Sequence, residues 1–453
     1  MTGARVPFLL VPAALIALPG AVQAQADSAF HVSLRGWAEE AWITIMDRRG
    51  ATGGRISERG ALQRFDERID DKYHLDRLTN QFWLSDEYEW YASDNGARWQ
   101  GGSISKADLV TEAEFKAKLP IDDHWAIGVR FNQITNPEGV RSPIRLLLSR
   151  RVSSALTLFA AGHIDPDKPG SDVELGLDWQ LPRGGLASLA IVALDAPNDL
   201  IYLNFDAVIQ AAKDSTLEYE RQPLGFRAMA EVPLSERVRL EAYGAYIRPS
   251  TILQYDDRIE TAGLRQRERF SYVGGLVEWA ATPRMRLGGF ANTVFAATDR
   301  EPLSAGAGVD AFALRERTSQ VGVFYVARLS RRWTFDSWLR HTWRPEQRVW
   351  GDPALDDVDY LLRTFNAQAV VTYRAPGGFL VDGGLVWHRA RVPRGDGQVP
   401  ATGNLVGGQY RLRYDFGWHK GRRFRLLLGS AFDIDERTVV SFGGARARVM
   451  LLW

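Results

Sequence analysis

The sequence predicts an all-β fold: a transmembrane antiparallel up-and-down β-barrel of about 18 strands, within bounds of roughly 16 to 20. Three observations predict it. Apolar and polar residues alternate with period two along many segments. Short turns alternate with long polar connections between those segments. After the first 24 residues, no run of 18 apolar residues occurs that a membrane helix would need.

The alternation is clearest from Ala113. Ala113, Phe115, Ala117 and Leu119 interleave with Glu112, Glu114, Lys116 and Lys118. Trp125, Ile127, Val129 and Phe131 follow after Pro120–Asp123, and the pattern returns at Val173–Trp179, Phe226–Val232, Val321–Leu329 and Tyr410–Trp418. Successive strand side chains point to opposite faces, so each such strand has one apolar face and one charged or small face.

Short turns are expected near Pro120–Asp123, Arg150–Ser154, Leu181–Gly185, Pro233–Arg237, Thr282–Arg284, Ser330–Arg332, Ala375–Gly378 and His419–Arg422. Longer polar connections include Asp195–Pro223, Arg248–Glu268, Thr298–Glu316, Arg344–Asp359 and Val392–Gly403. Short turns at one end and long loops at the other are the arrangement of an outer-membrane barrel. Eight hairpins give sixteen strands, and Thr438–Trp453 adds one. An even number then calls for an N-terminal strand, best placed at Phe30–Ile45, while Leu78–Ala92 and Arg98–Ser105 offer a further pair. The charged stretch near 47–77 is an outer loop, a plug or a periplasmic extension. Trp125, Trp179, Trp333, Trp418 and Trp453 fall near the short-turn end, and Trp99, Trp343 and Trp350 toward the long-loop end, as interfacial girdles would.

The N-terminus reads as an export signal. Arg5 precedes the apolar run Val6–Leu18, Pro19–Gly20 breaks it, and Val22-Gln23-Ala24 supplies small residues for cleavage before Gln25. Residues 1–24 are thus a signal peptide, and 25–453 form the barrel with its N-terminal strand and the loop or plug. The 56 basic and 55 acidic residues nearly cancel, against a nucleic-acid partner. With no cysteine, disulfides, thiolate metal sites and a lipidated N-terminal Cys are excluded.

Counting back from Trp453, positions Leu451, Val449, Ala447 and Ala445 are apolar at every second place. This resembles the terminal signal of Gram-negative outer-membrane β-barrel (porin-like) proteins, with Trp where Phe is more usual. The resemblance is to the general architecture and to no subfamily. It implies the outer membrane as location, and outer-membrane lipid, lipopolysaccharide and the barrel assembly machinery as partners, with Trp453, Leu451 and Val449 as the assembly signal. The oligomeric state stays open.

If the apolar face meets lipid, the other face lines the interior. That assigns Arg130, Arg145, Arg227, Arg239, Arg286, Arg328 and Arg340 inward, facing Glu112, Glu114, Glu174, Asp178, Glu231, Glu241 and Glu278. The candidate pore-lining set is Arg411, Arg413, Arg425, Arg446 and Arg448, densest in the last strands, with Asp382 and Asp415. An 18-strand circumference encloses more space than side chains fill. Fixed positive charge there would favour anions. Two readings stay open: a channel for diffusion or export of small hydrophilic, anionic solutes, or a salt-bridged, non-conducting barrel serving as a surface scaffold or as part of an export or assembly complex. For the second, the apolar Leu200–Ala212 stretch would pack inside or extend the strands. An outer-membrane lipid-modifying enzyme is a third. The seven histidines, His163 and His388 included, form no HExxH and no close pair, and no GxSxG elbow occurs. No catalytic residue, cofactor or metal is therefore expected. Heat-modifiable migration in SDS gels and extraction only by detergent are the expected behaviour of the purified chain; recovery as a soluble folded monomer would overturn the barrel assignment.

Overall fold

The computed structural model describes Ala38, Trp90 and residues 93–103, 109–136, 139–164, 171–194, 215–221, 224–256, 263–303, 311–351, 358–391, 407–420, 424–434 and 440–453. Residues 1–24, the 47–77 stretch and Leu200–Ala212 lie outside them. Twenty β-segments make one antiparallel sheet. The first ten are β1 (Gly96–Ser103), β2 (Leu109–Pro120), β3 (Trp125–Asn136), β4 (Gly139–Arg141), β5 (Ile144–Arg151), β6 (Leu156–Ile164), β7 (Asp172–Leu181), β8 (Gly185–Ala193), β9 (Ser215–Arg221) and β10 (Leu224–Pro233). The rest are β11 (Val238–Asp256), β12 (Gly263–Thr282), β13 (Met285–Pro302), β14 (Phe312–Arg328), β15 (Trp333–Trp350), β16 (Val358–Arg374), β17 (Phe379–Arg391), β18 (Gly407–Lys420), β19 (Phe424–Ile434) and β20 (Val440–Leu452).

One wall strand is split at a proline, which has no N–H to give a ladder. β4 and β5 flank Pro143 and both pair with β3. The Pro143 carbonyl still accepts the Asn132 N–H at 3.0 Å, so the ladder survives the interruption. β9 and β10 are separated in sequence by Gln222–Pro223 and both pair with β11. Twenty segments less these two breaks are eighteen wall strands. Each pairs with its neighbours in chain order, and β1 pairs with β20 from Gly96↔Leu452 to Ser103↔Ala445. The ladder therefore returns on itself.

All eight expected short turns join paired strands. The strand that completes the described wall is Gly96–Ser103, overlapping the Arg98–Ser105 stretch; Phe30–Ile45 lies, apart from Ala38, outside the described residues. Phe30–Ile45 loses its alternation after Gly36, and Ala38, the one described residue in it, is buried in helical conformation. Trp90, from the Leu78–Ala92 stretch, is likewise helical and buried. Trp99 is a correction. It lies across from Val449, four residues from the chain end, and so sits in the lower wall rather than toward the long loops.

Four of the turns share one local solution. A side-chain oxygen accepts backbone N–H groups two and three residues on, capping donors the ladder leaves free. Asp122 does so for His124 and Trp125, both at 2.7 Å. Ser153 serves Ala155 and Leu156, Ser235 serves Arg237 and Val238, and Ser330 serves Arg332 and Trp333. The bonds from His124 and Trp125 hold the Asp122 carboxyl below its ordinary range. The β7–β8 turn instead places Arg183 at φ 61° and Gly184 at φ 78°, and the Arg183 guanidinium donates to the Leu234 carbonyl of the next turn at 2.8 Å.

The two faces of the wall are inverted relative to a water-soluble protein. Outward residues such as Leu119, Ile127, Leu175, Leu189, Val273 and Val323 are exposed, while Glu114, Glu174, Glu241 and Glu278 face inward and are buried. Trp125, Trp179, Trp279, Trp333 and Trp453 line the short-turn rim, all exposed. Phe295 and Trp343 stand ten residues above Met285 and Trp333, about 25 Å at a 3.4 Å rise and 35–45° tilt. That is the height of a hydrocarbon-facing band.

Inside the wall, aromatic rings lie over glycines directly across the ladder. Phe290 faces Gly322 and Phe324 faces Gly288 on the β13–β14 pair. A Cβ added at Gly322 would meet Phe290 ring carbons at 2.5 Å and the Leu339 carbonyl oxygen at 2.8 Å. Gly322→Ala is expected to destabilise the barrel by about 1–3 kcal/mol, the cost of overpacking a filled site. A lower temperature for loss of the folded band in gels checks it.

Candidate functional site in the barrel interior

A carboxylate enclosed by the wall is costly unless neighbours neutralise it, and the strand register supplies cations on both sides. Glu114 on β2 lies between Arg98 of β1, with which it forms a buried ion pair, and Arg130 of β3 at 3.1 Å. Glu174 on β7 receives Arg145 of β5 at 2.8 Å, His163 of β6 at 3.0 Å and Arg227 of β10 at 3.9 Å. Glu278 on β12 lies between Arg239 of β11 at 3.7 Å and Arg286 of β13 at 2.6 Å. Arg239 also meets Glu241 at 2.7 Å. The Tyr243 hydroxyl, 2.9 Å from Glu231 and 3.1 Å from Glu241, donates its single proton to one or the other. These groups form a charged belt along the inner wall, running from β1 to β13.

Level with the belt and above it, the interior differs from expectation: Val192 lies across from Glu174, Leu276 from Glu241 and Val326 from Arg286. The inward faces of β8 and β11–β15 carry large apolar residues as well as charged ones. Val192, Tyr243, Ile247, Phe270, Tyr272, Leu276, Phe290, Val294, Phe324, Val326 and Trp338 form one buried cluster. Polar inward residues beside it, including Asn292, Gln320, Arg340 and Asn366, are also nearly inaccessible. On this side the inward side chains are shielded from solvent. Ala38 belongs to the same cluster.

Trp90 marks a second interior contact, at the seam. It packs with Met450 and Leu452 of β20 and is fully buried. The Arg98 guanidinium and the Lys116 ammonium approach its ring centroid at 4.9 and 4.4 Å, cation–π contacts strengthened by burial. Lys116 also donates to the Trp90 carbonyl, and to that of Ser93 at 2.5 Å. Gly96 makes room: a Cβ there would lie 2.8 Å from the Trp90 ring.

The sequence correctly turned Arg130, Arg145, Arg227, Arg239, Arg286 and their acidic partners inward. It missed Arg98, Lys116, His163 and Tyr243 as members of the belt, and Ala38 and Trp90 altogether. Of the candidate pore-lining residues, Arg448 is buried on the inward face with Met450 and Leu452. For Arg411, Arg413, Arg425, Arg446, Asp382 and Asp415 the described structure gives backbone partners only. Arg411 lies across from Asp433, Arg413 from Gly384, Arg425 from Met450, Arg446 from Gly429, and Asp382 from Asp415. Leu451 and Trp453 of the terminal signal face outward, exposed. Among the described residues no group of three or more His, Asp or Glu is placed to hold a metal ion.

Closed pairing, an apolar exterior and charge turned inward define a transmembrane β-barrel. No protein-family model matches the chain, and no characterised protein matches it in sequence. Among solved structures it is similar to a bacterial polysaccharide outer-membrane secretin (9% identity, 79% of this chain and 98% of that one, TM-score 0.38). It is also similar to OccK11 of Pseudomonas aeruginosa (10%, 79% and 93%, 0.38) and to OccK5 of the same organism (11%, 79% and 97%, 0.38). These likenesses are loose, and the barrel assignment rests on the chain's own strand pairing.

Glu174 gives the belt its test. Glu174→Gln keeps the shape but leaves Arg145 and Arg227 facing each other without the carboxylate. The expected loss of stability is at the low end of the roughly 3–5 kcal/mol that orphaning a buried charge costs, because Arg145 is part-exposed to water. Urea midpoints in lipid vesicles measure it, and adding Arg227→Gln should restore part of the loss.

Proposed function

We propose that the chain is an outer-membrane channel of porin type, passing small hydrophilic solutes by passive or gated diffusion or export, with anions favoured and no chemical turnover. The observation that carries this reading is the eighteen-strand closed wall with charge on its inner face, a circumference wider than side chains alone fill. The reading assigns the anion preference to the arginines of β18–β20, Arg411, Arg413, Arg425, Arg446 and Arg448. Fixed charge along a confined path concentrates ions of opposite sign. Export by the signal peptide, delivery by the assembly machinery through Trp453, Leu451 and Val449, and residence among lipopolysaccharide belong to the same proposal.

A second reading has an observation of its own. Ala38 and Trp90 both lie buried inside the wall, which favours a barrel filled by its own chain and acting as a scaffold or as part of an export or assembly complex.

Conductance of the purified protein in a planar bilayer separates the two. The channel reading expects ion-conducting steps with a reversal potential on the anion-selective side under a salt gradient. Arg413→Ala with Arg446→Ala should shift that potential toward cations, most at low ionic strength where screening is weak. Absence of conductance in correctly folded protein would favour the scaffold. Conductance with unchanged selectivity would remove the role given to these arginines.

A further inference from the structure

The outer face of the tall strands changes character within one residue step. On β12 the outward positions run Trp279, Val277, Gly275, Val273 and Ser271, and then become Arg269. On β14 they run Ala327, Tyr325, Val323, Val321 and Ser319 before Arg317; on β16, Tyr373, Val371, Ala369, Ala367 and Phe365 before Arg363. Each arginine is ten residues from its strand's lower-rim position, about 25 Å up the wall. The register keeps them level. Arg269 lies across from Ala297, and Ala297 from Arg315; Arg317 is two residues below that row, and Arg363, across from Trp343, two below again. A stagger of this kind offsets the tilt of barrel strands.

All three side chains are exposed, and none has a carboxylate partner among the described residues. Neighbouring cations differ: Arg265 pairs with Glu220 at 3.3 Å, and Arg315 with Asp299 at 2.5 Å. Glu301 and Asp359 lie higher, Glu301 across from Arg265 and Asp359 four residues above Arg363. The row nearest the apolar band is therefore positive. It spans alternate strands at roughly 10 Å intervals and stands beside the upper girdle, with Arg317 across from Phe295 and Arg363 across from Trp343.

We propose that Arg269, Arg317 and Arg363 form a binding site for the phosphate groups of a phosphorylated glycolipid, lipopolysaccharide, in the outer leaflet. A planar guanidinium takes a phosphate through two parallel hydrogen bonds, and a row of them just above the hydrocarbon lies at the plane where a lipid presents its phosphates. Acyl chains would then run down the apolar face formed by Val273, Val321 and Val323. The proposal rests on the outer-membrane placement and adds a ligand site to it.

The test uses the full chain with Arg269→Gln, Arg317→Gln and Arg363→Gln combined, in phosphatidylcholine vesicles carrying either lipopolysaccharide or its dephosphorylated form. Wild type should retain phosphorylated glycolipid through detergent extraction at least about tenfold more tightly than the triple variant. The dephosphorylated form should bind both equally weakly. Arg331→Gln with Arg332→Gln, at the short-turn end, should behave as wild type, and heat-modifiable migration confirms that each variant is folded. Equal retention by wild type and the triple variant overturns the site, as does displacement of the glycolipid by equimolar inorganic phosphate, which would make it a soluble-anion site. A folded chain that fails to enter vesicles overturns the membrane placement itself.

Discussion

Hydrocarbon offers no partner to a backbone N–H or C=O, so a sheet that crosses a membrane has to pair every strand on both edges. The rest of this structure depends on how that demand is met where the two ends of the wall meet. β1 is eight residues long and carries three glycines, yet it pairs along its whole length with β20 on one side and β2 on the other. The seam is reinforced from within. Arg98 bonds Glu114 across β1 and β2, while Trp90 lies against Met450 and Leu452 under the Arg98 and Lys116 cations. A short strand with little apolar surface is thus held by charge and one indole on the inner side, where such groups are allowed.

The same demand explains why the charges are arranged as they are. With lipid outside, the polar residues of each strand have nowhere to go but inward, and there the closing of the wall shields them from bulk water. Glu174 is buried because three strands bring Arg145, His163 and Arg227 to it. Neutralisation by adjacent strands makes these pairs part of the wall's cohesion, so the belt rigidifies the cylinder whether or not solutes pass through it.

Much of this was legible in the sequence, and the illegible part has physical causes. Hairpins announce themselves because Asp122, Ser153, Ser235 and Ser330 cap their own turns and the flanking strands alternate plainly. β1 was legible only as the optional Arg98–Ser105 strand, because Gly96, Gly101 and Gly102 contribute no alternation and Trp99 is its one large apolar residue. The apolar inner surface hid for the opposite reason. In Val294–Ala297 both faces are apolar, so period two carries no sign of which face is inward, and nothing local to Phe290 or Trp338 tells that Ala38 will join their cluster. Contacts between distant segments leave no periodic trace. For the candidate pore arginines, parity gave a face but not a partner.

The wall is also of unequal height. β11–β16 run 17 to 20 residues, whereas β2, β3, β6, β7 and β8 run 9 to 12. At the tilt of a barrel strand, the difference of about eight residues amounts to roughly 20 Å. Among the described residues the flank from β11 to β16 therefore rises well beyond the ends of β2, β3, β6, β7 and β8. There the ladder runs on past the hydrocarbon, into a zone where water could equally satisfy each N–H and C=O. On the tall flank the sheet is paired further than the membrane alone demands.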